Sequence, residues 1–236
     1  MIVAMLPSQT VENYLKTIYL AQAAMASEKE LVPMGQLASS LGVVPGTATT
    51  MVKALAESGL VHYEPYMGVR LTPAGERLAS LVSRRHRLIE LFLVKVLGMS
   101  WAEVHDEAEQ LEHAVSERLI DRIDEMLGRP SVDPHGDPIP TAEGRIARPE
   151  DLDLLAAPTR TKLQVSRVID QDPAFLRFVE QCELMPGRTV VIETRDAASD
   201  AIRLTSESGR QVAIGGRAAA KVRVRPLSRD PTKGRT

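Results

Sequence analysis

Cysteine is nearly absent from this chain of 236 residues. The single one, Cys182, excludes a disulfide framework and a metal site built on several thiolates. Aromatic residues are only 3%, so the core has to be aliphatic; hydrophobic residues as a whole reach 44%, enough for an ordinary globular interior. There is no basic excess. Lys and Arg number 29 against 31 Asp and Glu, a net charge of -2, so total charge alone does not point to nucleic acid. No apolar run approaches the roughly 20 residues of a membrane span. The start, Met1 to Pro7, lacks the basic and apolar regions of a signal peptide. The expectation is a soluble, cytoplasmic protein with no membrane partner.

What charge there is lies unevenly. Residues 76–150 hold ten basic and fifteen acidic residues, a net of -5. Residues 187–236 hold eleven and five, a net of +6. An acidic middle and a basic end suggest separate units. Between Arg129 and Lys162 stand six prolines, which exclude a long helix and read as a linker. Before it the chain reads as helical. Helices are expected over Val11–Ala24, Pro73–Leu97 and Ser100–Leu127, the second with Leu78, Leu81, Val82, Leu88, Ile89 and Phe92 as a wide apolar stripe. After it, Asp172-Pro173 reads as a cap and first-turn proline for a helix through Cys182. Thr189–Glu193, Ala201–Thr205, Gln211–Ile214 and Lys221–Arg225 are short and β-like, the pattern of a small SH3-like barrel. The fold class is therefore mainly α with a small β domain.

Residues 34–71 carry the first motif. A short helix holds Leu37, Ala38 and Leu41, and Gly42 supplies a left-handed turn. Pro45 opens a second helix, with Ala48, Val52 and Leu55 on its apolar side and Gly59 at its end. Two extended runs, Leu60–Tyr63 and Val69–Thr72, follow. Helix, tight turn, helix and hairpin make a winged helix-turn-helix, whose second helix enters a DNA major groove. Thr47, Thr49, Thr50 and Lys53 are free to face DNA there, and Tyr66 and Arg70 are the candidates on the wing. The plainer reading is a helical hairpin with no DNA role, which the near-neutral charge of the segment would suit.

The second motif is a set of spaced histidines and carboxylates. His105, Glu109, Glu112 and His113 share one stripe if 105–113 is helical, and His86 and Glu90 are also four apart. The turn Asp133-Pro-His-Gly136 adds a carboxylate and an imidazole two residues apart. Crowded carboxylates are costly unless a cation lies among them, so a divalent metal is one reading and a solvated acidic face is the other. An oxygen and imidazole set suits Mn²⁺ or Fe²⁺ better than Cu⁺ or structural zinc. Neither Glu-x-x-His nor His-Glu-x-x-His occurs, so the di-iron and zinc-protease patterns are missing and no enzyme is indicated.

Taken together, Glu12–Tyr19, the winged helix, Arg85–Glu90, Val104–His113 and Asp133–Pro140 resemble the diphtheria toxin repressor family, in its manganese-responsive branch. The resemblance covers nearly the whole chain. It implies a DNA-binding domain over 1–74, a helical metal-binding and dimerisation domain over 75–148, and an SH3-like (FeoA-like) domain over 160–228. It implies a metal-activated regulator that binds a palindromic operator as a homodimer, with the apolar side of Leu78–Phe92 packed against its copy. It also implies two Mn²⁺ ions per subunit. The principal site would use Asn13, Glu109, Glu112 and His113. The ancillary site would use His86, Glu90 and His105, with Asp133, His135 and Asp172 as further candidates, although Asp172 also suits the role of a helix cap. The iron-responsive branch has Cys where this chain has Glu109 and Met where it has Asn13, so Glu109 favours manganese over Fe²⁺. The manganese branch usually has Asp at the first-helix position, and Asn13 departs from it. Two alternatives remain: an iron-dependent repressor on the same fold, and a metal-storing or metal-delivering protein without DNA binding.

Overall fold

The computed structural model describes residues 8–23, 25, 30–147 and 149–227. The expectations for Met1–Pro7, for the last residue of the first helix and for the end of the basic tail fall outside them. The chain divides into two compact units, one of residues 1–86, 111–120 and 139–147, the other of the remainder. Among the described residues, no helix is long and apolar enough to cross a membrane.

The first unit opens with helix α1, Gln9–Ala23, followed by α2, Met34–Ser40, and α3, Pro45–Glu57. Pro45 stands in the first turn of α3, where its missing N–H costs nothing. Ala48, Val52 and Leu55, spaced for one helical face, are buried there. Strands β1, Val61–Glu64, and β2, Gly68–Leu71, form an antiparallel hairpin with Val61 opposite Leu71. Leu15, Ile18, Leu37, Val52 and Val69 close the core. Each such buried side chain contributes about 1.5–3 kcal/mol.

Helix α4, Pro73–Lys95, begins in the first unit and continues into the second. On its apolar stripe Val82, Leu88 and Ile89 are buried within the single chain, and Leu78, Leu81 and Phe92 are half-buried.

The helix expected over Ser100–Leu127 is two helices, α5, Val104–Leu111, and α6, Glu117–Met126. Ser116 explains the break. Its carbonyl accepts from the Ile120 N–H and its hydroxyl from the Leu119 N–H, the pairing of a helix N-cap. The proline-rich segment is not a loose linker either. Asp133, His135, Ile139, Leu154 and Ala157 within it are buried. Strand β3, Leu152–Asp153, also lies in it.

The second unit carries six antiparallel strands in the order β3-β8-β4-β5-β6-β7. These are β4, Lys162–Val168; β5, Thr189–Asp196; β6, Ala201–Ser206; β7, Gln211–Gly215; and β8, Val222–Pro226. Helix α7, Pro173–Gln181, and the short α8, Gly216–Ala219, complete this SH3-like domain. Leu163, Val165, Leu176, Leu184, Ile192 and Val224 fill its core. Strand β4 went unread because its alternation, Leu163, Val165 and then Val168 after a bulge, lies at the edge of the proline-rich stretch.

Candidate metal centre

Within the first unit, three segments meet. Helix α1 presents Glu12, Asn13 and Lys16, the first and last one turn apart and so on one face. Helix α4 presents Arg85 and His86. The break before α6 presents Glu112 and His113. His113 lies between two acceptors, with Nδ1 2.6 Å from Glu12 Oε2 and Nε2 2.7 Å from Asn13 Oδ1. Its Nε2 is also 3.3 Å from Glu112 Oε1. Glu112 is wholly buried, with His86 Nδ1 2.7 Å from one of its oxygens. The Lys16 ammonium donates to both, at 2.9 Å each. Arg85 donates to Glu12 at 2.5 Å. Burial works against the Glu112 carboxylate, but the hydrogen bond from His86 and the charge of Lys16 hold it below the usual carboxyl range.

Within the second unit, Glu90 on α4 stands between two imidazoles. His105 Nδ1 is 3.3 Å from one oxygen, and His135 Nδ1 is 3.7 Å from the other. Glu109, one turn after His105 on α5, lies 3.9 Å from His105 Nε2. The turn carrying Asp133 and His135 is held from within. One Asp133 oxygen accepts from the N–H groups of His135 at 2.8 Å and Asp137 at 3.0 Å. The turn is also pressed against β4, where a Cβ at Gly136 would come within 2.0 Å of the Ser166 carbonyl oxygen. Gly136 has φ +88°, so the position requires glycine twice over.

Glu90, Asp133 and His135 of this second group could hold a metal ion. His135 donates its Nε2–H to the Trp101 carbonyl at 2.8 Å, since a carbonyl can only accept. That bond aims Nδ1 inward, and buried Nδ1 of His135 and Oδ2 of Asp133 have no hydrogen-bond partner. Ligand atoms of Glu90, Asp133 and His135 all lie within 4.8 Å of one another. Metal-bound histidines commonly give their other N–H to such a carbonyl. Burial, with the charges of Asp137 and Glu90, pushes Asp133 up to about 7. At His135 burial opposes the charged form, but Glu90, and then Asp133, outweigh it and raise the imidazole. A divalent ion among these groups would relieve the crowding.

By unit, Asn13, His86, Glu112 and His113 belong to the first, and Glu90, His105, Glu109, Asp133 and His135 to the second. Asp172 joins neither: its carboxylate caps α7, accepting from the Phe175 N–H at 2.9 Å. Glu12 and Lys16 were missed by the sequence reading. Both lie inside the motif Glu12–Tyr19 and share a face of α1, a spacing that could have found them.

On the DNA-binding candidates, Thr47, Thr50 and Lys53 are exposed on α3, and Thr49 is half-buried. The hydroxyls of Thr49 and Thr50 donate to the carbonyls of Pro45 and Gly46, at 2.9 and 3.0 Å. Tyr66 is fully exposed at the hairpin tip, and Arg70 on β2 is half-buried.

Residues 7–69 match the family described as "Iron dependent repressor, N-terminal DNA binding domain". Residues 72–141 match "Iron dependent repressor, metal binding and dimerisation domain", and residues 152–226 match "FeoA domain". The HTH-type transcriptional regulator MntR of Lysinibacillus sphaericus is 33% identical over 122 residues, covering 52% of this chain and 84% of the relative. This chain belongs to the diphtheria toxin repressor family. The iron-dependent repressor IdeR of Mycobacterium leprae is 28% identical over 203 residues, covering 80% of this chain and 86% of that one. A solved structure titled "Manganese-dependent transcriptional repressor complex with manganese" is 41% identical with a TM-score of 0.85, covering 92% of this chain and 100% of that one. The family member described here is a metal-dependent transcriptional repressor and not an enzyme. The storage reading is set aside.

Proposed function

We propose that this repressor responds to Mn²⁺, binds two ions per subunit, and acts in the cytoplasm as a homodimer on a palindromic operator. One observation carries the metal assignment. A buried imidazole, His135, is aimed by the Trp101 carbonyl at two buried carboxylates, Glu90 and Asp133. Every candidate donor is oxygen or imidazole nitrogen, a set that suits manganese. The resemblance implies that Glu109 takes the place of a thiolate in the iron-responsive branch. The likeness to a repressor solved with manganese supports the same reading.

The two groups have different tasks in this reading. Asn13, Glu112 and His113, with Glu12, would hold an ion that draws α1, α4 and the turn before α6 together. Glu90, Asp133 and His135, with His105 and Glu109, would hold the second. A bound divalent cation supplies charge neutralisation and fixed geometry. The residues themselves link segments whose arrangement sets how α3 is presented. Metal raises DNA affinity when it binds that arrangement better than others. Thr47, Thr50 and Lys53 on α3, with Thr49, would face the major groove, and Tyr66 and Arg70 would lie beside it.

The test is a gel shift on the chain's own upstream region, under anaerobic conditions, with Mn²⁺ and Fe²⁺ in turn. Strong retardation with Mn²⁺ is expected. Full activation by Fe²⁺ with none by saturating Mn²⁺ would replace this reading with the iron-responsive one, which the likeness to the Mycobacterium leprae repressor favours.

A further inference from the structure

We propose that the Lys16 ammonium is a resident cation that a divalent ion must expel from the first group, and that it thereby sets the metal concentration at which this repressor responds. The inference rests on the reading of Asn13, Glu112 and His113 as metal ligands. Lys16 Nζ lies 2.9 Å from both oxygens of Glu112 and 3.3 Å from His86 Nδ1. Lys16 is itself buried, and Glu112 is wholly so. The ammonium thus occupies the point where a carboxylate and an imidazole converge.

An ammonium has three donors and no lone pair, so it cannot be a ligand. A divalent ion binds carboxylate oxygen at about 2.0–2.6 Å. With Nζ already on both Glu112 oxygens, an ion bound there would lie beside a second cation, and two cations side by side repel strongly away from water. Binding is therefore an exchange. The flexible four-carbon stem of lysine lets the head group swing away with its proton retained, leaving Glu112 to the ion. The same helix offers Asn13, a neutral amide, as its ligand candidate. Helix α1 therefore contributes a cation and an uncharged donor to this group, with Glu12 paired to Arg85. The consequence is a protein whose Glu112 is neutralised without metal and whose affinity for metal is lowered by the same contact.

The experiment is calorimetric titration of the full chain with MnCl₂, together with melting curves in chelator and in Mn²⁺. The proteins compared are wild type, Lys16→Gln, Lys16→Met, Lys16→Arg and His113→Ala. For the neutral variants, Mn²⁺ affinity at this group is expected to tighten about tenfold or more, which is about 1.4 kcal/mol. Their melting temperature in chelator should fall, because Glu112 loses its counter-ion, while the gain on adding Mn²⁺ should grow. A merely structural lysine would lower both. Lys16→Arg keeps the cation and should bind no tighter than wild type. The inference is overturned if whichever neutral variant folds binds Mn²⁺ no more tightly than wild type, or if the arginine variant also tightens. His113→Ala separates the two readings: loss of one Mn²⁺ supports the site itself, whereas unchanged binding of every ion would remove the site and this inference with it.

Discussion

The Nε2–H of His135 donates to the carbonyl of Trp101, 2.8 Å away, and the two rings lie 5.5 Å apart, centroid to centroid. The tautomer of His135 is fixed by a backbone atom that no substitution at Trp101 removes. His135→Ala should therefore abolish one metal site, whereas Trp101→Phe should leave the number of bound ions unchanged. Loss of an outer-shell partner costs 10–100-fold in affinity, and loss of the ligand should exceed about 100-fold. Equilibrium dialysis with metal analysis checks both. Two ions still bound by His135→Ala would remove this residue from the ligand set.

Asp133 gives a pH signature in the metal-free protein. Its carboxyl is raised from 3.8 to about 7, chiefly by burial and then by Asp137 and Glu90. A raised pKa means that the folded state holds the proton more tightly than the unfolded chain. The associated stability is fully present below about pH 4 and is lost as pH rises through about 7. In chelator, wild type should therefore lose melting temperature relative to Asp133→Asn across this window. Added Mn²⁺ should reverse the order at pH 7.5. Parallel melting curves for the two proteins from pH 4 to 8 would show that Asp133 is not perturbed.

The DNA assignment rests on exposed side chains of α3. Lys53→Ala should weaken binding to all sequences alike and reduce the slope of log affinity against log salt by about 1, the loss of one phosphate contact. Thr50→Ala should change preference among operator variants with little effect on that slope. Fluorescence anisotropy at several salt concentrations distinguishes them. A Lys53→Ala slope equal to wild type would take this residue off the phosphate backbone.

Gly136 is the structural weak point of the second group. Any side chain there meets the Ser166 carbonyl and must adopt φ +88°. Gly136→Ala should cost about 2 kcal/mol or more. It should also lower metal affinity, because the turn must lift from β4. Melting temperature in chelator, compared with the Mn²⁺ titration, checks both effects.

Much of this was legible from the chain alone, for identifiable reasons. The winged helix could be read because Gly42, Pro45 and the spacing of Ala48, Val52 and Leu55 each act locally. Asp172-Pro173 announced its cap the same way. The break before α6 was missed because His105, Glu109, Glu112 and His113 fit a continuous helical stripe so well. Only Ser116, a cap signal three residues later, argued against it. The turn at Asp133 was read, but the burial of its segment was not, because proline count says where helices cannot run, not whether a segment packs. Lys16 was passed over because a lysine beside metal ligands makes no sense from composition. Its meaning depends on where Glu112 comes to lie, ninety-six residues further on.

The two threonine bonds along α3 restrict the chemistry that DNA can offer to this helix. With their protons committed to the carbonyls of Pro45 and Gly46, the hydroxyls of Thr49 and Thr50 have only lone pairs left. A phosphate oxygen, itself only an acceptor, finds no donor there. The groups that can meet Thr50 are the exocyclic amines of adenine and cytosine, or a thymine methyl against its own methyl. While those bonds last, Thr50 would suit a reader of bases and not an anchor to the backbone.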